Sequence, residues 1–311
     1  MTKEISLRED QSYHLYLDRP RQGWYDTLKA YLEVTKPVSV SLLVFTSVAA
    51  MVVATREVVF NPGQLITAIL AIILSCAGAN AISCYVDRDI DAVMERTKKR
   101  PIPTARIFPA VKALYFGLVL ILGSLVLAYY INLLSMICLV TGILDYVLVY
   151  NAWSKRKTPL NIILGGFSGG FPVLFGWVAI TGQISLLPFL LGALVVLWIP
   201  NHIWSLAIYH REDYQKAKIP MLPVVSSFQA VVRCIVTTIL LFFIISILIY
   251  LTGHFGPVYF WLTVVPGLIA IGGSIYLYLH PTPKNAWFVF KLSSPILFFV
   301  FLGMILDTLF K

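Results

Sequence analysis

Asp87 and Asp91 stand four residues apart in the stretch YVDRDIDAVMERTKKRP, Tyr85 to Pro101. On a helix that spacing puts both carboxylates on one face, with Cys84 and Asn80 one and two turns below. Two acids so placed repel each other unless a cation lies between them. An all-oxygen donor set suits Mg²⁺, which keeps some of its waters and commonly bridges carboxylates to phosphate oxygens. Arg96, Lys98, Lys99 and Arg100 follow directly, and such bases suit phosphate oxygens. Acids for a metal beside bases for a phosphate describe a diphosphate site. The same stretch also fits a plain charged loop whose bases only anchor topology.

A second stretch repeats the logic. In IPNHIWSLAIYHREDYQKAKIPMLPVV, Ile199 to Val225, His202 lies inside an apolar run. His210, Arg211, Glu212 and Asp213 stand at its end, and Lys216 and Lys218 lie beyond. On a continuous helix His202 and Asp213 project from one face. A histidine in such a run is commonly hydrogen-bonded packing, yet an ionisable group there is a functional candidate by default. A third stretch, NAWSKRKTPLN, supplies Lys155, Arg156 and Lys157, and Asp145 lies in the apolar run before it. Asp145 reads equally as a functional acid or as a structural one, held by a helix-to-helix hydrogen bond or neutralised by protonation.

These residues need elements to hold them. The chain has 311 residues, of which 59% are hydrophobic, and its mean hydropathy is +0.82. A soluble domain cannot bury that much apolar side chain, so an integral membrane protein is expected. Nine apolar runs of spanning length occur, at roughly 39–55, 63–84, 110–130, 133–150, 160–180, 184–209, 229–252, 259–279 and 286–309. They are too long and continuous for barrel strands, so the expected fold is all-α, a polytopic bundle of nine transmembrane helices. The helix of the second run is expected to continue out of the membrane to about Met94, since no breaker precedes Pro101.

Residues 1–36 are polar and mixed in charge. They read as a cytoplasmic arm or interfacial helix ahead of a nine-helix domain at 37–311, not as a signal or transit peptide. With the N-terminus in the cytoplasm, 22 of the 24 Lys and Arg fall on that side, leaving only Arg56 and Lys311 outside. The net charge of +9 is therefore a topological signal for a cell membrane, not evidence for nucleic acid. The four cysteines form no C-x-x-C pair, and neither a disulfide framework nor a zinc site is expected.

The pattern D-R-D-I-D followed by M-x-R-T-x-x-R-P, Asp87 to Pro101, resembles the first aspartate-rich motif of the UbiA-type intramembrane prenyltransferases. S-K-R-K-T-P-L-N-I-I-L-G-G, Ser154 to Gly166, is similar to a second stretch of that family. P-N-H-I-W-S-L-A-I-Y-H-R-E-D-Y-x-x-A-x-I-P-M-L-P-V-V resembles the signature of its heme-farnesylating branch. The resemblance implies a central cavity open to the cytoplasmic face, with Mg²⁺ as cofactor and farnesyl diphosphate and heme b as substrates. The product is then heme O, which a downstream heme A synthase takes over. By the same resemblance Asp87, Asp91 and Asp213 hold the metal; Asn80, one turn before the family's Asn-rich position, is a substitute ligand only where the helix geometry allows it. Arg96, Arg100, Lys155, Arg156 and Arg211 hold the diphosphate, and His202 acts in catalysis and in heme binding. Two departures stand out. Ser83-Cys84 replaces the family's Asn-rich pair before the first acid, and Asn201 is inserted between Pro200 and His202.

Ionising an allylic diphosphate needs its developing negative charge stabilised and the resulting carbocation shielded from water. Aromatic faces serve the second need. The chain has 19 Phe, 16 Tyr and 7 Trp, so Tyr146, Tyr150 and Trp204 are candidates that sequence alone leaves unseparated from packing. A quinone precursor or another lipid is the rival acceptor. A transporter is the rival class, for which Gly165, Gly166, Gly169, Gly170 and Pro172 interrupt the fifth run as a broken helix does.

Overall fold

Nine helices of the computed structural model, which describes residues 23–59 and 61–310, are long and apolar enough to cross a bilayer. In chain order the spans are Pro37–Ala54, Pro62–Val86, Val111–Ile131, Leu133–Lys157, Asn161–Thr181, Leu186–Tyr209, Phe228–Leu251, Pro257–Leu279 and Pro283–Phe310. Each overlaps one of the nine apolar runs along most of its length, and the chain is a multi-pass membrane protein. The first 22 residues of the expected arm lie outside the described residues.

Local chemistry sets the ends. Pro37, Pro62 and Pro257 open the first, second and eighth spans, where a missing N–H costs nothing. The side chains of Asn61, Asn132 and Ser227 accept backbone N–H groups at the starts of the second, fourth and seventh.

Each span packs against its neighbours in sequence, and the ninth returns to the first. Spans one, five, six and nine also form an inner set in which each touches two of the others. Their side chains, among them Met51, Phe175, Leu191, Leu194 and Phe301, make up much of the main core. The difference shows in burial: 67% of the apolar window of the fifth span is buried, against 22% for the third. The exposed side of the third span carries Leu118, Val119 and Leu122, as a lipid-facing surface requires.

The fifth span is one continuous helix with Pro172 inside it, so the expected interruption is absent. Its glycines are seats for neighbours instead. A Cβ at Gly165 would lie 2.5 Å from the ring of Tyr150, and one at Gly176 would lie 2.2 Å from the carbonyl oxygen of Ser47.

On the face away from the acidic loops, Asp307 is buried and its Oδ2 accepts the N–H groups of Gly256 and Tyr259, at 2.7 and 2.8 Å. Arg56 donates to the carbonyl oxygens of His254 and Asp307. Spans one, eight and nine are thus locked together at this end. Asp307→Ala leaves two buried N–H groups without an acceptor. It is expected to cost about 2 kcal/mol, read as a lower melting temperature in detergent.

Ahead of the first span, the helix Trp24–Val34 packs Ala30 and Val34 against Ala81, Cys84 and Ile107. Arg106 donates to both carboxylate oxygens of Glu33, at 2.9 and 2.5 Å. These hydrogen bonds hold the Glu33 carboxyl below its usual range. The helix is thereby clipped to the segment that follows the first acidic motif.

Candidate active site

The second span ends at Val86, and Asp87 (φ −88°, ψ 5°) leaves the helical path before a single turn at Arg88–Asp91. The expected helix to Met94 is therefore broken at the first acid, because the loop finds stronger partners off the helix. Arg156 donates to the Val86 carbonyl at 2.8 Å and to both oxygens of Asp89 at 2.7 Å. Burial pushes the Asp89 carboxyl up, but Arg156 outweighs it and leaves that carboxyl below its usual value. Further on, Asp213 accepts the backbone N–H groups of Glu95 and Arg96, both at 3.2 Å. Ile90 and Met94 pack with Tyr214, Ile219 and Met221 in a second core. The two charged loops are joined by their few apolar side chains and one carboxylate.

Asp87 and Asp91 remain one turn apart, the N–H of Asp91 donating to the carbonyl of Asp87 at 2.8 Å. Both are buried, 2% and 3% exposed. Lys155 Nζ donates to Asp87 Oδ2 at 2.5 Å, and Arg100 Nη1 lies 2.8 Å from both oxygens of Asp91. Below them Ser83 is the hub. Its Oγ accepts from Lys36 Nζ at 3.2 Å and lies 3.1 Å from Asn151 Oδ1 and 3.5 Å from Asp87 Oδ2. The Tyr146 hydroxyl donates to Asn80 Oδ1 at 3.0 Å.

Tyr146 and Asn151 come from a π-helical stretch, Asp145–Ser154, within the fourth span. The Asn151 amide donates to the Tyr146 carbonyl five residues earlier, at 2.7 Å. Such wide turns recur at functional sites, where they re-aim side chains. The rings of Tyr146 and Tyr150 stack at 6.0 Å, and Lys155 Nζ lies 5.8 Å from the Tyr150 centroid.

The charges decide what this cluster suits. Lys36, Lys155 and Arg100 face Asp87 and Asp91, an excess of positive charge that favours an anion. Yet Asp87 Oδ1 is a buried carboxylate oxygen with no hydrogen-bond partner, an acceptor suited to a cation. Among the described residues no three His, Cys, Asp or Glu side chains converge as a metal cage. The residues therefore fit a hard cation that arrives with its own oxygen ligands, such as Mg²⁺ on a diphosphate.

The remaining expected residues divide. Arg156 straps Asp89 rather than facing Asp87 or Asp91. The Arg96 and Arg211 side chains are exposed, with Arg211 Nη2 3.5 Å from the Val224 carbonyl. Asn80 is buried with its Oδ1 already taken by Tyr146 and its amide donating to the Cys76 carbonyl at 2.9 Å. Asp145 is half-buried, and its Oδ2 has no hydrogen-bond partner. Trp204 is packed in the second core. Lys36 has no role in the motif reading beyond its position before Pro37 at the membrane boundary, and Ser83 enters that reading only as a departure from the family's Asn-rich pair.

His202 sits elsewhere. The sixth span ends at Tyr209, and His210 (φ −101°, ψ 29°) turns the chain into a separate helix, Arg211–Lys216. The shared face of His202 and Asp213 is lost at that break. The His202 ring lies between Trp198 and Phe290, at 4.4 and 4.5 Å, and its Nδ1 is 2.6 Å from Ser293 Oγ. Phe290 stacks on Trp287 and Trp287 on Tyr209, at 4.9 and 4.6 Å. A ladder of rings therefore runs along the seam of spans six and nine, from the membrane interior to the rim.

The molecule is thus a bundle of membrane helices that carries paired acids and bases at one rim. The model of the UbiA prenyltransferase family matches residues 42–302, and the chain belongs to that family. It is a prenyltransferase. The chain is 52% identical over 287 residues to a protoheme IX farnesyltransferase of Desulforudis audaxviator, covering 92% of this chain and 90% of that one. It is 42% identical to a protoheme IX farnesyltransferase of Thermoplasma volcanium, covering 88% and 96%. Among solved structures, that of a digeranylgeranylglyceryl phosphate synthase superposes with a TM-score of 0.75 at 23% identity, covering 92% of this chain and 99% of that one. A UbiA homologue from Archaeoglobus fulgidus, solved with GPP and Mg²⁺, superposes with a TM-score of 0.62 at 15% identity, covering 89% and 99%.

Proposed function

We propose that this protein transfers the farnesyl group of farnesyl diphosphate to a vinyl group of heme b, with addition of water, giving heme O. The observation that carries the diphosphate half is the buried cluster of Asp87, Asp91, Lys36, Lys155 and Arg100, with its surplus of positive charge and its one unpartnered carboxylate oxygen. The acceptor half rests on the relatives at 52% and 42% identity. Asp87 and Asp91 would hold Mg²⁺, which would supply Lewis-acid stabilisation of the leaving group's negative charge.

Lys155 and Arg100 exchange their carboxylate partners for diphosphate oxygens, and Lys36 lies beside them. These cations stabilise the electron pair that leaves with the diphosphate when the C1–O bond breaks. Tyr146 and Tyr150 offer ring faces to the allylic cation. Attack by the terminal vinyl carbon forms the new C–C bond and leaves a cation next to the porphyrin ring. Water adds there and loses a proton, leaving the hydroxyl group. Asp213 holds the first acidic loop in place through its two backbone hydrogen bonds, and His202 binds the heme iron.

The reaction is placed at the cytoplasmic face of the cell membrane, in a central cavity open to that side. The charge distribution supports this orientation, since with a cytoplasmic N-terminus the sequence assigns 22 of 24 Lys and Arg to the cytoplasmic segments. Heme O leaves toward a downstream heme A synthase. The test is purified protein in detergent with heme b, farnesyl diphosphate and Mg²⁺, with products read by mass. A product heavier than heme b by the elements of farnesol, absent in EDTA, is expected. Diphosphate release with an aromatic acceptor and none with heme b would transfer the assignment to a quinone-precursor enzyme.

A further inference from the structure

We infer that Ser293, on the ninth span, is a positioning residue that fixes His202 in one tautomer, so that Nε2 presents its lone pair to the iron of the acceptor. The inference rests on the heme reading above but concerns a residue that reading does not use. Its ground is a proton count. Ser293 Oγ lies 2.6 Å from the carbonyl oxygen of Phe290 and 2.6 Å from Nδ1 of His202. A carbonyl oxygen only accepts, so the single hydroxyl proton of Ser293 belongs to that contact. The hydroxyl oxygen must then accept from His202, and Nδ1 carries the ring proton. In a neutral imidazole this leaves Nε2 unprotonated. No hydrogen bond to Nε2 occurs among the described residues.

The surroundings hold that arrangement in place. Ser293 is 2% exposed, so water does not compete for its hydroxyl. Its backbone carbonyl accepts from Trp198 Nε1 at 2.8 Å, so one residue anchors both His202 and a ring stacked on it. Trp198 and Phe290 both stack on the imidazole, which fixes the plane of the ring. Histidine ligands to metals commonly donate their other N–H to an oxygen in this way, which sets the tautomer and the ring direction. The geometry here supplies that partner before any metal is bound.

The test is a titration of heme b into the full-length protein in detergent, followed by its absorption bands and, in the ferric form, by electron paramagnetic resonance. The wild type should show a histidine-ligated spectrum, and His202→Ala should lose it. Ser293→Ala should weaken heme b binding about 10- to 100-fold and lower the ligated fraction. Ser293→Thr keeps the hydroxyl and should restore both. Magnesium-dependent binding of farnesyl diphosphate, which does not involve Ser293, reports that each variant is folded. If His202→Ala loses the spectrum while Ser293→Ala matches the wild type, the inference fails and the iron-ligand role of His202 stands. If His202→Ala keeps the spectrum, both fail. A loss in Ser293→Ala that Ser293→Thr does not recover, accompanied by loss of farnesyl diphosphate binding, would mark Ser293 as structural only and overturn the inference.

Discussion

Asp87→Asn is expected to lower farnesyl transfer by about a hundred- to a thousandfold, a range typical of removing one preorganised electrostatic group at a reacting centre. The substitution keeps the volume and one acceptor oxygen, but it removes the negative charge that Asp87 Oδ1 offers to a cation. Asp87→Ala should do more than this. Lys155 is 15% exposed at its side chain and pairs with Asp87 at 2.5 Å, so losing the carboxylate leaves a buried ammonium without its partner. Breaking such a pair costs about 3–5 kcal/mol, whereas removing both members is often nearly neutral. Asp87→Ala with Lys155→Met should therefore regain much of the lost melting temperature and none of the lost turnover. Asn at position 87 retaining turnover within a few-fold of the wild type would show that the cluster is an anchor for the loop and not the diphosphate site.

Asp213→Ala is expected to lower turnover by about a hundredfold through a different route. Its carboxylate accepts the N–H groups of Glu95 and Arg96 from a loop more than a hundred residues away in sequence. Each is a hydrogen bond to a charged group and is worth about 1.5–3 kcal/mol, so losing both releases that stretch of backbone and with it the register of Arg100. The Michaelis constant for farnesyl diphosphate should rise, and amide exchange at Glu95 and Arg96 should accelerate. Exchange that stays slow while turnover is lost would instead make Asp213 a direct metal ligand.

Asp87 and Asp91 were legible as a pair because an i, i+4 spacing is a local property, and one helical turn still joins them. The continuation of that helix was not legible. Its end at Val86 depends on Arg156 and Asp213, which arrive from other spans, and no pattern within Tyr85–Pro101 reports them. Lys36 was missed for the same reason, and Ser83 was legible only as a departure from the family's Asn-rich pair. A lysine at a membrane boundary reads as a topology anchor until its Nζ is seen 3.2 Å from Ser83 Oγ. The glycines of the fifth span looked like an interruption because sequence shows only the missing side chains. The structure shows what fills the space, the Tyr150 ring against Gly165.

The nine spans and the gathering of the bases in alternate loops were determined by the sequence itself. Hydropathy and charge act residue by residue in a bilayer, and each span must satisfy its own backbone. Which base meets which acid was decided only by the tertiary structure. Lys155 reaches Asp87 across 68 positions, and His202 reaches Ser293 across 91. Those meetings depend on how the helices pack, on a π-helical turn in the fourth span and on breaks at Asp87 and His210. Each of these is set by partners that lie far away along the chain.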